Sequence, residues 1–397
     1  VRRIFFLLVM IGTVCGVSAQ DGSDLARVNL SGYAYVPEFT LTFSPGSRIN
    51  IDGRRVSMRS CRILPAQKSL VTEKSGRLIF ELVTIRPANG DVTGFTTPVG
   101  TQQFRGRIEI RAADEGILII NTLPVRDYLA SVLGGEMGEN FRDEALKAQA
   151  VAIRSYYYAK RRLNRRQAFD VSNTDGVDMV YRGSGFATDK MYEIMKQTAG
   201  LFLVGPDERP ALALFHSTSG GLILKDKVFT SDFYNPPQEP VLRKDTDEKG
   251  RPLASSSPYF TFDITLSGEQ LIRALYPVVR LSRLTDIRLR YFPGTACVDF
   301  IGLIDQDGNT HWIKGFNFVS LVQQHITLGL GSIDFSVQKQ GGRFRFTGRG
   351  FGHQCGMSQY SAEKLAQGGY GFKQILRRYY PQYKLVAIPA ASALLRK

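Results

Sequence analysis

The chain has 397 residues, 43% of them hydrophobic and 22% charged, and a formal net charge of +15. That length allows two compact domains with cores of their own, and that composition excludes an intrinsically disordered chain. No apolar run reaches the roughly 20 residues of a spanning helix, which excludes a multi-span membrane protein.

At the N-terminus, Arg2 and Arg3 precede an apolar stretch from Ile4 to Val17 that ends in Val17-Ser18-Ala19. This pattern predicts a signal peptide over 1–19 and export to the periplasm or cell envelope, with an anchor if the segment is not cleaved. Beyond it lie Cys61, Cys297 and Cys355, an odd number with no close pair, which predicts buried single thiols. Without the two leading arginines the charge is still about +13. An exported basic protein calls for an anionic partner, cell-wall glycan or lipid headgroups rather than nucleic acid.

From 20 to about 122 the chain reads as strands, FTLTF, RINID, RLIFELV and RIEIRAADEGILIINTL, punctuated by Gly and Pro. Helical pattern starts at Pro124, and the clearest helix is predicted over 140–162, with Asn140 and Asp143 resembling a capping box. Its alanines keep it thin, and Lys147, Val151, Arg154 and Tyr158 share one face. Of Tyr156, Tyr157 and Tyr158, at least one must pack in the core. A strand-like run encloses the tetrad Ser217-Thr218-Ser219-Gly220. A Pro-rich and charge-rich excursion from Tyr234 to Ser257 reads as a long surface loop. A helix over 267–276, strands IRLRYF, CVDFIGLI, HWIKGF and RFRF, and two final helices, SQYSAEKLAQ and GFKQILRRYY, complete an α+β chain.

Three stretches carry candidate chemistry. In GGEMGEN, Glu136 sits between glycines that can present it to a cleft, where a half-apolar setting suits a proton donor; a solvated loop glutamate is the plain alternative. In FTGRGFGHQCGMSQYS, four glycines surround His353 and lead into a helix near Ser358. Bare N–H groups there suit an anion or a sugar, and the alternative is a tight turn with a core histidine. The Ser217–Gly220 tetrad offers hydroxyls to sugar or caps a turn. Gly-x-Ser-x-Gly is absent, which argues against a serine hydrolase.

The segments VRDYLASVLGGEM, EALKAQAVAIRSYYY, FHSTSGG and GRGFGHQCGMSQYSAEKLAQGGYGFKQILRRYYP, in that order, resemble the stage II sporulation protein D (SpoIID) family of peptidoglycan lytic transglycosylases and their amidase-enhancer (LytB) relatives. The strand pattern gives a β-rich N-terminal region over 20–103, outside the strongest resemblance, and the resemblance implies a SpoIID-like catalytic domain over 104–390. It implies Glu136 as catalytic acid and base. It implies substrate contacts from Lys147, Arg154, Ser217, Thr218, Ser219, Gly220, Gly352, His353, Ser358 and Gln359. Where family members carry a Cys-x-x-x-His-Cys type cluster, this chain has VSNTDGVDMVYRG, with Ser172, Asn173, Val177 and Asp178, so no metal and no cofactor is expected. The family's GHGVGMSQ reads GHQCGMSQ here, and Gln354 and Cys355 are expected to narrow or tune the cleft.

The implied reaction uses one carboxyl group. Glu136 protonates the oxygen joining MurNAc to GlcNAc, then takes the proton of the MurNAc C6 hydroxyl as a 1,6-anhydro ring closes, without the second acid a hydrolase needs. The implied partners are peptidoglycan glycan strands, an amidase, and division or wall-remodelling proteins. The competing reading is a non-catalytic wall-binding protein that localises or enhances an amidase.

Overall fold

The computed structural model describes residues 24–72, 76–88, 90–114, 116–173, 178–226 and 241–388. The predicted signal segment, Val177, and residues 234–240 of the predicted loop lie outside them. The fold is α+β with a β-rich N-terminal part.

Alternation along the early strands decides their faces. In Leu25–Asn29, Ala26 and Val28 are buried while their neighbours reach the surface. This strand pairs antiparallel with Gly116–Pro124 and parallel with Val171–Ser172. It therefore lies near one end of a seven-stranded sheet that continues through Arg107–Ala113, Leu82–Arg86, Arg48–Ile51 and Arg54–Val56. A six-stranded sheet packs its aromatic residues into the same core, with Phe39 and Phe95 stacked at 5.4 Å and Phe104 edge-on to Phe95 at 5.1 Å.

Strand Gly116–Pro124 hands the chain directly to helix α1, Val125–Glu136, with Pro124 at the N-cap, where its fixed φ suits helix entry. Helix α2 is Asp143–Leu163. It starts three residues later than the predicted 140, and Arg142 rather than Asn140 is the N-cap, with no side-chain cap bond. Its start is favoured instead by Asp143 and Glu144 at the positive end of the dipole and by basic residues in the last turn. From Ala145 to Ala159 every residue of α2 but Lys147 is buried, which the run of alanines permits. All three tyrosines are core: their hydroxyls donate to Asp178, Asp170 and Asp24 respectively, tying three separate segments to one helix.

Helix α3, Asp189–Gln197, follows, and the later chain forms two three-stranded sheets with α4, Gly268–Leu275, and α5, Gly315–His325. Neither α3 nor α5 was legible, because α5 is rich in aromatic and β-branched residues of low helix propensity and continues straight from strand Thr310–Lys314. The described part of the predicted loop is ordered: Val241–Lys244 pairs with Leu222–Leu224. Helices α6, Gln359–Gln367, and α7, Phe372–Tyr379, close the chain against α2. Buried Asp245 fastens them, accepting from Ser361 Oγ at 2.6 Å and from the Tyr379 hydroxyl at 2.9 Å. Cys61, Cys297 and Cys355 are buried and form no disulfide among the described residues.

Candidate active site

Helix α1 ends in Leu-Gly-Gly-Glu, so Glu136 is the last residue of a helix and not part of a loop. The glycines allow this turn to lie against the segment 180–186: a Cβ on Gly134 would sit 2.0 Å from the Phe186 carbonyl oxygen, and one on Gly135 3.1 Å from that of Val180. The half-buried Glu136 carboxylate accepts the Val180 backbone N–H at 2.8 Å and the Gln359 side-chain amide at 3.1 Å. Helices α1 and α6, 223 residues apart in sequence, are thus bridged by this one carboxylate.

Two other acids, Glu139 and Asp178, are otherwise engaged. Glu139 is exposed and accepts from the Thr188 hydroxyl. Asp178 is sealed, its oxygens taken by the Tyr156 hydroxyl, the Ser172 N–H and Lys160. Burial, then the charges of Asp178 and Glu136, push the Tyr156 phenol far above its usual range.

A run of partly exposed aromatic rings adjoins Gln359. Tyr360 lies 5.3 Å from Phe141 and 6.4 Å from Tyr259, which in turn lies 5.4 Å from Phe351. Sequence reasoning missed this wall. Its members lie in or beside the quoted stretches, in ENFRD, SPYF, GFG and SQY, but come from three separate parts of the chain that only the fold brings together.

The glycines of the 348–356 loop answer to packing. A Cβ on Gly356 would lie 1.8 Å from the Leu214 carbonyl oxygen, and one on Gly348 2.2 Å from that of Asp334. Several N–H groups expected to face a ligand are bonded within the protein: Gly350 to Phe260, Phe351 to Thr218, Gly352 to Gly331 and Met357 to Leu214. A Cβ on Gly352 would lie 2.8 Å from the His216 Cβ.

The tetrad is likewise internal. Thr218 and Ser219 are fully buried, with Thr218 Oγ1 bonded to Ser257 Oγ at 2.7 Å and Ser219 Oγ accepting from the Gly221 N–H at 3.0 Å. Gly220 donates to Gln354 Oε1 at 2.8 Å, leaving Ser217 as the partly exposed hydroxyl of the four. Ser358, fully buried, is the N-cap of α6 and also accepts the Ser219 N–H at 3.1 Å. Gln354, expected to tune the cleft, points inward: at φ 59° it is held left-handed, and its amide also donates to the Thr218 and Gly352 carbonyls.

Two imidazoles meet in this packing, 5.6 Å between ring centres. His353 Nδ1 accepts the Cys355 N–H at 3.2 Å, and His216 Nδ1 bonds the Cys355 carbonyl at 3.0 Å. Because a carbonyl only accepts, His216 carries its proton on Nδ1. Burial, and then the neighbouring His353, lower His216 to about 3; burial lowers His353 to about 4. Both rings are neutral at pH 7.

Residues 113–204 match the family model described as SpoIID, stage II sporulation protein. Over this span the chain is similar to the SpoIID family. Stage II sporulation protein D of Bacillus amyloliquefaciens is 26% identical over 276 residues, covering 66% of this chain and 74% of that one. The protein of the same name from Bacillus subtilis (strain 168) is 26% identical over 319 residues, covering 74% and 86%. An amidase enhancer of Bacillus subtilis (strain 168) is 41% identical over 46 residues, 12% of this chain and 6% of that protein.

The matched span includes α1, α2 and α3, and so Glu136, Lys147 and Arg154, while Gln359 and the glycine loop come from outside it. Its two cations do not form the expected line toward the carboxylate. Lys147 donates to Glu144 at 2.7 Å, and Glu144 also accepts the Phe372 N–H at 2.7 Å. Burial opposes ionisation of Glu144, but these bonds lower its pKa and dock it at the positive end of α7. Arg154 is buried and turned the other way, onto the C-terminal end of α3, where it donates to the carbonyls of Met195, Thr198 and Leu201.

Proposed function

We propose that this chain is a cell-wall protein whose SpoIID domain cleaves peptidoglycan glycan strands as a lytic transglycosylase, with Glu136 as its acid and base. One observation carries the reading: a half-buried carboxylate held between a backbone N–H and the Gln359 amide, with a run of partly exposed aromatic rings, suited to the flat faces of sugars, starting at the next residue, Tyr360.

In the reaction, the Glu136 carboxyl protonates the oxygen linking MurNAc to GlcNAc as that bond breaks. As carboxylate it then takes the proton of the MurNAc C6 hydroxyl while that oxygen bonds C1, which returns the enzyme to its starting state. Gln359 fits both stages. As placed, its N–H stabilises the carboxylate; rotated by half a turn, its oxygen accepts from the protonated acid. Glu139 and Asp178 are bonded elsewhere, which favours a one-carboxyl mechanism over a hydrolytic pair. Export, by the N-terminal segment, would bring the enzyme to its substrate.

The likeness to an amidase enhancer supports a second reading, a wall-binding protein that assists an amidase without cleaving glycan. One experiment separates them. Incubation with intact peptidoglycan and with glycan stripped of stem peptides should release anhydro-ended fragments, seen by mass spectrometry and lost in Glu136→Gln. Retained glycan binding with no fragment from either substrate would instead establish the second reading.

A further inference from the structure

At the far end of α2 from Glu136, a helix of 21 residues and so about 30 Å away, lies a cavity of about 610 Å³. Five arginines line it: Arg27 from the first strand, Arg161, Arg162 and Arg165 from the end of α2 and its following turn, and Arg209 from the turn after strand Leu201–Val204. Cations in the last turn of a helix complement its dipole, which explains Arg161 and Arg162. It does not explain why a strand and a distant turn deliver Arg27 and Arg209 to the same cavity.

Charge within the cavity is unbalanced. Asp170 is its one acidic wall, and it is already engaged: Oδ1 accepts from Arg27 Nη2 at 2.6 Å and Nε at 3.1 Å, and Oδ2 accepts from the Arg27 N–H at 2.9 Å and the Tyr157 hydroxyl at 3.2 Å. Asp24 takes Arg161, and Asp207 lies 3.8 Å from Arg209. Among the described residues no carboxylate reaches Arg162 or Arg165, and the Nε of Arg162 is buried without a hydrogen-bond partner. A wall of five arginines on which Arg162 and Arg165 lack a carboxylate partner among the described residues calls for an anion from outside.

We propose that this cavity binds a phosphate ester. Planar guanidinium forks from several directions match a tetrahedral anion with several oxygens, whereas a carboxylate occupies one fork. The volume exceeds that of bare phosphate and admits the alcohol part of a glycerol phosphate. Such a group is found in soluble or wall-bound phosphodiesters and in lipid headgroups. The site stands apart from the glycan cleft and does not depend on the transglycosylase reading.

The test uses the full chain, with glycerol phosphate and inorganic phosphate as probes in titration calorimetry, and phosphatidylglycerol against phosphatidylcholine vesicles in co-sedimentation. Arg162→Glu/Arg165→Glu alters the cavity; Arg283→Glu/Arg288→Glu makes the same charge change at exposed positions elsewhere. Glycerol phosphate affinity should fall about tenfold or more in the first variant and less than about twofold in the second. Vesicle binding lost in the first variant alone assigns the ester to a lipid; vesicle binding equal in both assigns it to a soluble or wall phosphodiester. Glycerol phosphate binding that is equal in both variants, or absent from the wild type up to about 50 mM, overturns the proposal. Should the double reversal fail to fold, Arg165→Glu, at an exposed position, carries the same comparison.

Discussion

Arg154→Met is expected to lower stability while leaving glycan cleavage per folded molecule intact. Burial pulls Arg154 down to about 10, so it remains charged at pH 7. Among the described residues no carboxylate pairs with it; its acceptors are the carbonyls of Thr198 at 2.8 Å and of Met195 and Leu201 at 3.2 Å, with the Thr198 hydroxyl also at 3.2 Å. These close the negative end of α3. Two of the carbonyls keep a second donor in the variant, Thr198 from the Leu201 N–H and Met195 from the Thr198 hydroxyl, so they are weakened and not orphaned. Removing the buried cation also removes its desolvation cost. About 1 kcal/mol for each of three carbonyl contacts gives a net loss of about 2 to 3 kcal/mol. Urea unfolding at pH 7 measures the loss, and release of anhydro-ended fragments, normalised to folded protein, measures the chemistry. An unchanged unfolding midpoint with cleavage down by more than about tenfold would refute the structural role and return Arg154 to the cleft.

Gln359→Leu should reduce cleavage by about tenfold or more and shift its pH profile, because the carboxyl loses the partner that serves both protonation states; an unmoved profile would leave Gln359 a mere spacer. Tyr259→Ala, at a ring 52% exposed, should raise the KM for glycan several-fold with little change in stability, checked by steady-state kinetics and thermal melts. Gly356→Ala places a Cβ 1.8 Å from the Leu214 carbonyl at φ 68°, and should cost about 3 kcal/mol or prevent folding, read by circular dichroism. Acidification tests the imidazole pair. Both histidines titrate below their usual value when folded, so between pH 6.5 and about 4 the unfolded chain binds more protons; their contribution is full above pH 6.5 and declines as pH falls. Each contributes a slope of up to about 1.4 kcal/mol per pH unit, and urea midpoints between pH 6.5 and 4.5 should flatten by about half in His216→Leu.

Legibility followed range. The strands of the N-terminal part and helices α2, α6 and α7 could be read because alternation and helical spacing are local properties of the chain. The boundary of α2 could not, since its cap carries no side-chain bond and only dipole charges mark its start. Glu136 was legible as a residue but not as a helix end, because its two preceding glycines look like loop and are there for contact with Phe186 and Val180. Lys147 and Arg154 were placed correctly on α2, yet helical spacing says nothing of what lies opposite each turn. The aromatic wall drew on three distant parts of the chain and left no periodic signal at all.

In the proposed reaction the glycine loop and the serine-rich tetrad bear on catalysis at one remove. Gln354 joins the two, bonding the Gly220 N–H and the carbonyls of Thr218 and Gly352 from a left-handed backbone that costs about 1 kcal/mol or more in isolation. Ser358 joins them again by taking the Ser219 N–H while capping α6. The product of this buried web is the fixed start of α6, and the first residue of α6 is Gln359, whose amide meets Glu136. A carboxyl that must donate and then recover one proton at one atom needs its geometry held more tightly than a solvated loop allows. Glycines where no Cβ fits, and hydroxyls turned inward, are what such a support requires, and they explain residues that looked at first like sugar ligands.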